Sequence, residues 1–123
     1  MVSNIGDAEC FICRDKKAVK MSETHKPSNE EEKKRIEKAG MKVIKGRINC
    51  VIAVSRSFGD KDFKSVSQKN QDEQPISCVP SISRTTLTDN DTFIVLCCGK
   101  KTKKKKIIFY KFIFYKFFFI HFF

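Results

Sequence analysis

Pro27-Ser28-Asn29-Glu30-Glu31-Glu32-Lys33-Lys34-Arg35-Ile36-Glu37-Lys38-Ala39-Gly40 reads as a helix. Ser28 and Glu31, three residues apart, have the spacing of a capping box, which satisfies two amide groups otherwise left unpaired at a helix start. Three glutamates fill the first turn and basic residues follow, as the helix dipole favours. Glu30 with Lys34 and Glu31 with Arg35 are supporting pairs one turn apart. Gly40 is a natural C-cap. Only Ile36 and Ala39 are apolar, so the helix is expected to lie on a surface.

The flanking sequence reads as strands and turns. On the N-terminal side, Val2–Ile5 and Ala8–Cys13 flank a Gly6-Asp7 turn, and Ala18–Met21 follows a polar turn at Arg14–Lys17. That turn lacks the Asn-Gly or Asp-Gly pair typical of a type I′ hairpin, because Lys16 follows Asp15. On the C-terminal side, Met41–Ile44 and Ile48–Val54 are expected as short strands separated by Lys45-Gly46-Arg47. Ser57-Phe58-Gly59-Asp60 reads as a turn, and residues 61–77 as a long polar loop without period. Residues 84–91 are polar, with a turn at Asp89-Asn90-Asp91. Thr92–Cys98 is a continuous apolar run, expected to be a strand buried on both faces. There is no internal repeat. The fold class that follows is α+β, strand-dominated, with one charged helix.

The chain has 123 residues, room for one small domain. Lys and Arg total 25 against 14 Asp and Glu, a net charge of +11. Eight of those lysines and no acid lie in residues 100–123, so the first 99 residues carry only about +3. A uniformly basic nucleic-acid-binding domain, a collagen-like chain and a multi-domain enzyme are excluded. The first residues have neither a basic start nor an apolar core, so no secretory signal is read there and the compartment is expected to be reducing and cytoplasmic. Cys10 and Cys13 form a C-x-x-C, a zinc spacing. On a strand, residues three apart point to opposite faces, which favours buried apolar thiols over a zinc site.

Several stretches in register resemble the type 2C metal-dependent protein phosphatases. Val2-Ser3-Asn4-Ile5-Gly6-Asp7 is similar to that family's strand ending in Gly-Asp-Ser-Arg, and Cys13-Arg14-Asp15-Lys16-Lys17-Ala18-Val19 to the hairpin after it. Thr24-His25-Lys26-Pro27-Ser28, Glu32-Lys33-Lys34-Arg35-Ile36 and Ala39-Gly40 resemble its His-Lys-Pro and helix segment. Gly46-Arg47-Ile48-Asn49 with Ala53-Val54-Ser55-Arg56-Ser57-Phe58-Gly59-Asp60 resembles its central signature. Val79-Pro80-Ser81-Ile82 and the strand Phe93–Cys98 resemble what comes next. The resemblance implies an α/β sandwich of antiparallel sheets, partial here and incomplete at both ends, over residues 1–99. It implies hydrolysis of phosphoserine or phosphothreonine in phosphoproteins by a water bridging two Mg²⁺ or Mn²⁺ ions held by aspartates. Two cations lower that water's pKa and neutralise charge on the phosphoryl oxygens, and such ions demand hard oxygen ligands.

The departures from the family pattern set a second expectation. The family's Asp-Gly-His-Gly stretch, N-terminal metal Glu and phosphate-binding Arg have no counterpart here. Where Cys-Asp-Gly is expected, the chain reads Cys97-Cys98-Gly99-Lys100. Of the metal carboxylates only Asp7 remains, at a weaker third position by resemblance, with Ala8 and Glu9 standing where Ser and Arg are usual. A turn carboxylate capping backbone amides is the competing reading of Asp7. The chain is therefore expected not to assemble a two-metal centre, no catalytic residue is assigned, and inactivity follows. Arg56 and Asp60 are read as supports of the loop near the active end, and His25 as structural and away from the chemistry. By resemblance the stretch from about Ala39 to Ala53 is a flap bordering a substrate cleft, with a weak phosphoprotein contact as its remaining role.

Residues 100–123 use only six residue types and hold eight Phe and eight Lys. Lys, Phe, Ile and Tyr are written by A/T-rich codons, so a disordered tail or translated non-coding sequence is one expectation. A membrane contact is the other. Ile107–Phe123 is at the lower length limit for a span. Its twelve Phe and Ile favour insertion by about 4 to 7 kcal/mol, while Lys111 and Lys116 oppose it by about 5 to 7. The lysine run suits an anionic lipid surface. It has no element beside it to read nucleic acid, so binding there would be weak and salt-sensitive.

Overall fold

A computed structural model describes residues 1–98 and the backbone of Tyr110–Phe112. In chain order the strands are β1 (Val2–Asn4), β2 (Glu9–Arg14), β3 (Lys17–Lys20), β4 (Val43–Ile44), β5 (Arg47–Ile48), β6 (Ser81–Ser83), β7 (Asp91–Cys97) and β8 (Tyr110–Phe112). One helix, α1 (Glu30–Lys38), lies between β3 and β4. The chain divides into two compact units. Among the described residues, the first takes Met1–Asn4, Ala8–Glu23 and those from Ser81 on; the second takes Ile5–Asp7 and Thr24–Pro80.

In the first unit all pairing is antiparallel. β1 pairs β6, and a four-stranded sheet runs β3-β2-β7-β8. Alternation along β2 puts Cys10 and Ile12 on the buried face, with Leu96 of β7 directly opposite Cys10. Cys13 therefore faces the other way from Cys10, as the strand spacing requires. Burial pushes the Cys10 thiol up to about 11, and all six cysteines are free. Side chains close the edges of this unit: Asn4 Nδ2 donates to the carbonyls of Ala8 (3.1 Å) and Glu23 (2.6 Å). Ser22 Oγ accepts from the Cys10 amide at 2.8 Å. Arg14 reaches Asp91 through two bonds, of 2.7 and 2.8 Å, beside a bulge between Cys13 and Arg14.

One expectation fails here. The apolar run at Thr92–Cys98 forms a strand, but only Leu96 is buried and Phe93 is 42% exposed. Its composition suits a strand covered on both faces; only one face carries that burial among the described residues. The turn between β2 and β3 is a two-residue loop, Arg14 facing Lys17, with Asp15 and Lys16 both left-handed at φ 50° and 59°. That is the type I′ pattern without glycine.

In the second unit α1 ends as a Schellman motif. Gly40 sits at φ 86°, its amide donates to the Glu37 carbonyl (3.0 Å) and the Met41 amide to that of Ile36 (3.2 Å). The capping box does not form. Asn29, not Ser28, is the N-cap, and its side chain donates to Thr24 O at 2.6 Å instead of accepting from the helix. Glu30 pairs with Lys34 as expected (2.9 Å), whereas Arg35 takes Glu32 rather than Glu31. The helix is not merely superficial: Ile36 is fully buried with Ile48 and Ile76, packed by Met41, Val43, Ile52 and Phe63. The expected strand Ile48–Val54 is broken after Ile48, because Asn49 and Cys50 turn left-handed at φ 47° and 63°. The β4–β5 hairpin also closes through two left-handed residues, Lys45 and Gly46. The polar stretch 61–77 is a loop around one 3₁₀ turn at Lys61–Phe63. Gln74 anchors it, bonding Val66 through both its amide and carbonyl and Lys69 through its carbonyl.

Candidate functional site

Within the second unit three segments meet: the Gly6-Asp7 turn, the segment before α1, and the Ser55–Asp60 loop. Gly6 lies at φ 138°, a conformation L side chains rarely adopt, and a Cβ there would come within 3.8 Å of the Arg56 carbonyl. The Gly6 amide donates to His25 Nδ1 (3.1 Å), and the Gly6 carbonyl accepts from the His25 amide (2.8 Å). The His25 carbonyl accepts from the Ser55 amide (3.1 Å). His25 is fully buried. Burial, reinforced by the Arg56 charge, pushes its pKa down to about 4.

The Ser55–Asp60 loop is held from beneath by Glu32, whose side chain is 4% exposed. Glu32 accepts from Arg35 at 2.8 Å and from Arg56 at 2.6 Å. The same guanidiniums hold backbone: Arg35 donates to Ser55 O (2.6 Å) and Gln74 O (3.0 Å), and Arg56 to Val79 O (3.0 Å). Burial alone raises a carboxyl pKa, but the two guanidiniums outweigh it and bring Glu32 down to about 2. A parallel bridge joins Arg56 to Ser77. Sequence reasoning missed Glu32 as a hub. The signal was its position one turn before Ile36 and two before Ala39, on the inward stripe of α1.

Asp7 is exposed on the turn, and its carboxylate takes no hydrogen bond from the described residues, so it does not cap backbone amides. Arg56 is committed to Glu32 and Val79. Asp60 is exposed at φ 52°, where its carboxylate accepts a hydrogen bond from Ser57 Oγ. Lys64 Nζ donates to Ser57 O at 2.6 Å and steadies the same turn. The structure brings the backbone of the Asp7 turn against that of Arg56, and shows no polar contact between the three side chains. His25 is buried behind the turn, bonded to backbone groups of Gly6 and Ser55. Among the described residues no three His, Cys, Asp or Glu converge to hold a metal ion. One exposed carboxylate does not fit the donor set of a two-ion centre.

Among the described residues the chain is built of antiparallel sheets with one α-helix, and its sequence and fold both have known relatives. Residues 1–101 match the family described as protein phosphatase 2C. "Probable protein phosphatase 2C 5" of Paramecium tetraurelia is 43% identical over 97 residues, 79% of this chain and 33% of that protein. "Probable protein phosphatase 2C 58" of Oryza sativa subsp. japonica is 41% identical over 98 residues, 80% of this chain and 27% of that protein. A crystal structure of a phosphatase from Toxoplasma gondii superposes with a TM-score of 0.73 at 35% identity, covering 78% of this chain and 30% of that one. This chain belongs to the protein phosphatase 2C family, and spans about a third of the length of the Paramecium relative. The expected partial fold of that family, antiparallel sheets with one helix, is the one the chain adopts over the matched 78%.

Proposed function

We propose that residues 1–99 carry part of a protein serine/threonine phosphatase domain, whose reaction is metal-dependent hydrolysis of phosphoserine and phosphothreonine in phosphoproteins. The observation that carries this reading is the family match across residues 1–101. By itself the chain is proposed to be inactive, because Asp7 is the one carboxylate at an expected metal position and nothing converges with it among the described residues. Asp7 is assigned to the weaker third Mg²⁺ or Mn²⁺ position by resemblance, and Arg56 and Asp60 to support of the loop beside it. Membrane contact through residues 100–123 rests on composition alone. Among the described residues no helix is long and apolar enough to cross a membrane.

The test is a phosphothreonine-peptide assay of the full chain with Mn²⁺. No turnover above that of Asp7→Asn is expected. Mn²⁺-dependent turnover abolished by Asp7→Asn overturns the inactivity. Vesicle partitioning unchanged on deleting residues 100–123 removes the membrane reading.

A further inference from the structure

We infer that His25 is the positioning residue of the Gly6-Asp7 turn, fixing it against the Ser55–Asp60 loop. A backbone N–H can only donate, so the Gly6 amide at 3.1 Å requires His25 Nδ1 to be an unprotonated acceptor. The imidazole is therefore neutral with its proton on Nε2. Nε2 is buried without a partner among the described residues. That is an unfavourable state for a polar atom, and a core side chain filling volume alone would not need it. The ring is held this way by what the rest of the residue does: its amide reaches Gly6 O, and its carbonyl receives Ser55 N. One residue thus sets the turn's height and its register with the loop. Glycine reaches φ 138° without strain but has many other conformations open to it, and the clasp selects this one. What Asp7 is held for rests on the phosphatase reading above; the clasp does not.

The test uses the full ¹⁵N-labelled chain. Ring nitrogen spectra near pH 7 are expected to show the Nε2–H tautomer, and the Nδ1–H tautomer overturns the inference. Gly6 amide exchange is then read against that of Ile36. His25→Leu keeps bulk and removes the acceptor, and is expected to accelerate Gly6 exchange about tenfold relative to Ile36. His25→Asn returns an oxygen near the Nδ1 position and is expected to restore most of the protection. Equal exchange in the two variants, or no acceleration in His25→Leu, overturns the inference. If His25→Leu fails to fold, the wild-type tautomer and His25→Asn still decide. Asp7→Asn is expected to leave Gly6 exchange unchanged; acceleration there means the carboxylate holds the turn, and the inference falls.

Discussion

The two units reach order by different means. In the first, strands carry the organisation: β2 lies between β3 and β7, and the buried side chains are few, Cys10, Ile12 and Leu96 among the apolar ones. In the second, regular structure is one helix, a four-residue hairpin and a 3₁₀ turn, yet His25, Pro27, Glu32, Ser55, Gln74 and Ser77 are all buried. Isolated backbone bonds such as Ser77 N to Ser55 O join these loops, and buried side chains satisfy groups that a continuous ladder would otherwise pair. The comparison of ion pairs makes the same point. Arg14 and Asp91 join two strands that already share a ladder, with Arg14 29% exposed. Glu32 joins segments that share almost no ladder at all.

The comparison breaks first at Glu32. Glu32→Ala leaves two mostly buried guanidiniums without their carboxylate and is expected to cost about 3 to 5 kcal/mol. Urea denaturation, with amide exchange at Ile36 and Ile48, measures it; a loss under about 1 kcal/mol would mean the knot is ornamental.

Acid separates the groups by window. The His25 pKa is lowered from 6.5 to about 4, so the unfolded chain binds more protons between those values. Stability is full above pH 6.5 and falls by about 3 kcal/mol as pH drops to 4. Glu32, lowered from 4.5 to about 2, contributes stability present above pH 4.5 and lost below it as pH falls towards 2. Denaturation midpoints at pH 7, 5.5 and 4 check the first window. A flat profile contradicts the buried neutral ring.

The smallest effect belongs to the first unit, where the ladder tolerates a poor turn. Lys16 holds φ 59°, and Lys16→Gly is expected to stabilise by about 0.5 to 1 kcal/mol, after allowing for glycine's greater freedom when unfolded. A melting curve with amide exchange at Ile12 reads it.

Legibility in the sequence follows the same division. Strands β1 to β3 came from alternation and turn residues, and α1 from charge order and Gly40, because those signals are local. The Ile48–Val54 reading failed since a β-branched run says nothing of two left-handed residues at Asn49 and Cys50. Glu32 looks like Glu30 and Glu31 until its helical face is counted. Ile76 enters the core from a stretch whose composition reads as solvent-facing loop. At the site, Gly6-Asp7 and Ser55–Asp60 were both visible as motifs. What joins them is a backbone-to-ring clasp, and a single histidine carries no periodic signal.

Gln74 has one consequence of another kind. By clasping Val66 and Lys69 it closes its loop upon itself, while Gln71 and Asp72 stay exposed. Beyond that fastening, the stretch between Lys69 and Gln74 is tied to the following chain through Gln71, whose Oε1 accepts from Cys78 Sγ at 2.7 Å. Residues added after the exposed Asp72 would lengthen an excursion already bounded by these ties. Such a place accepts a grafted epitope or a reporter peptide.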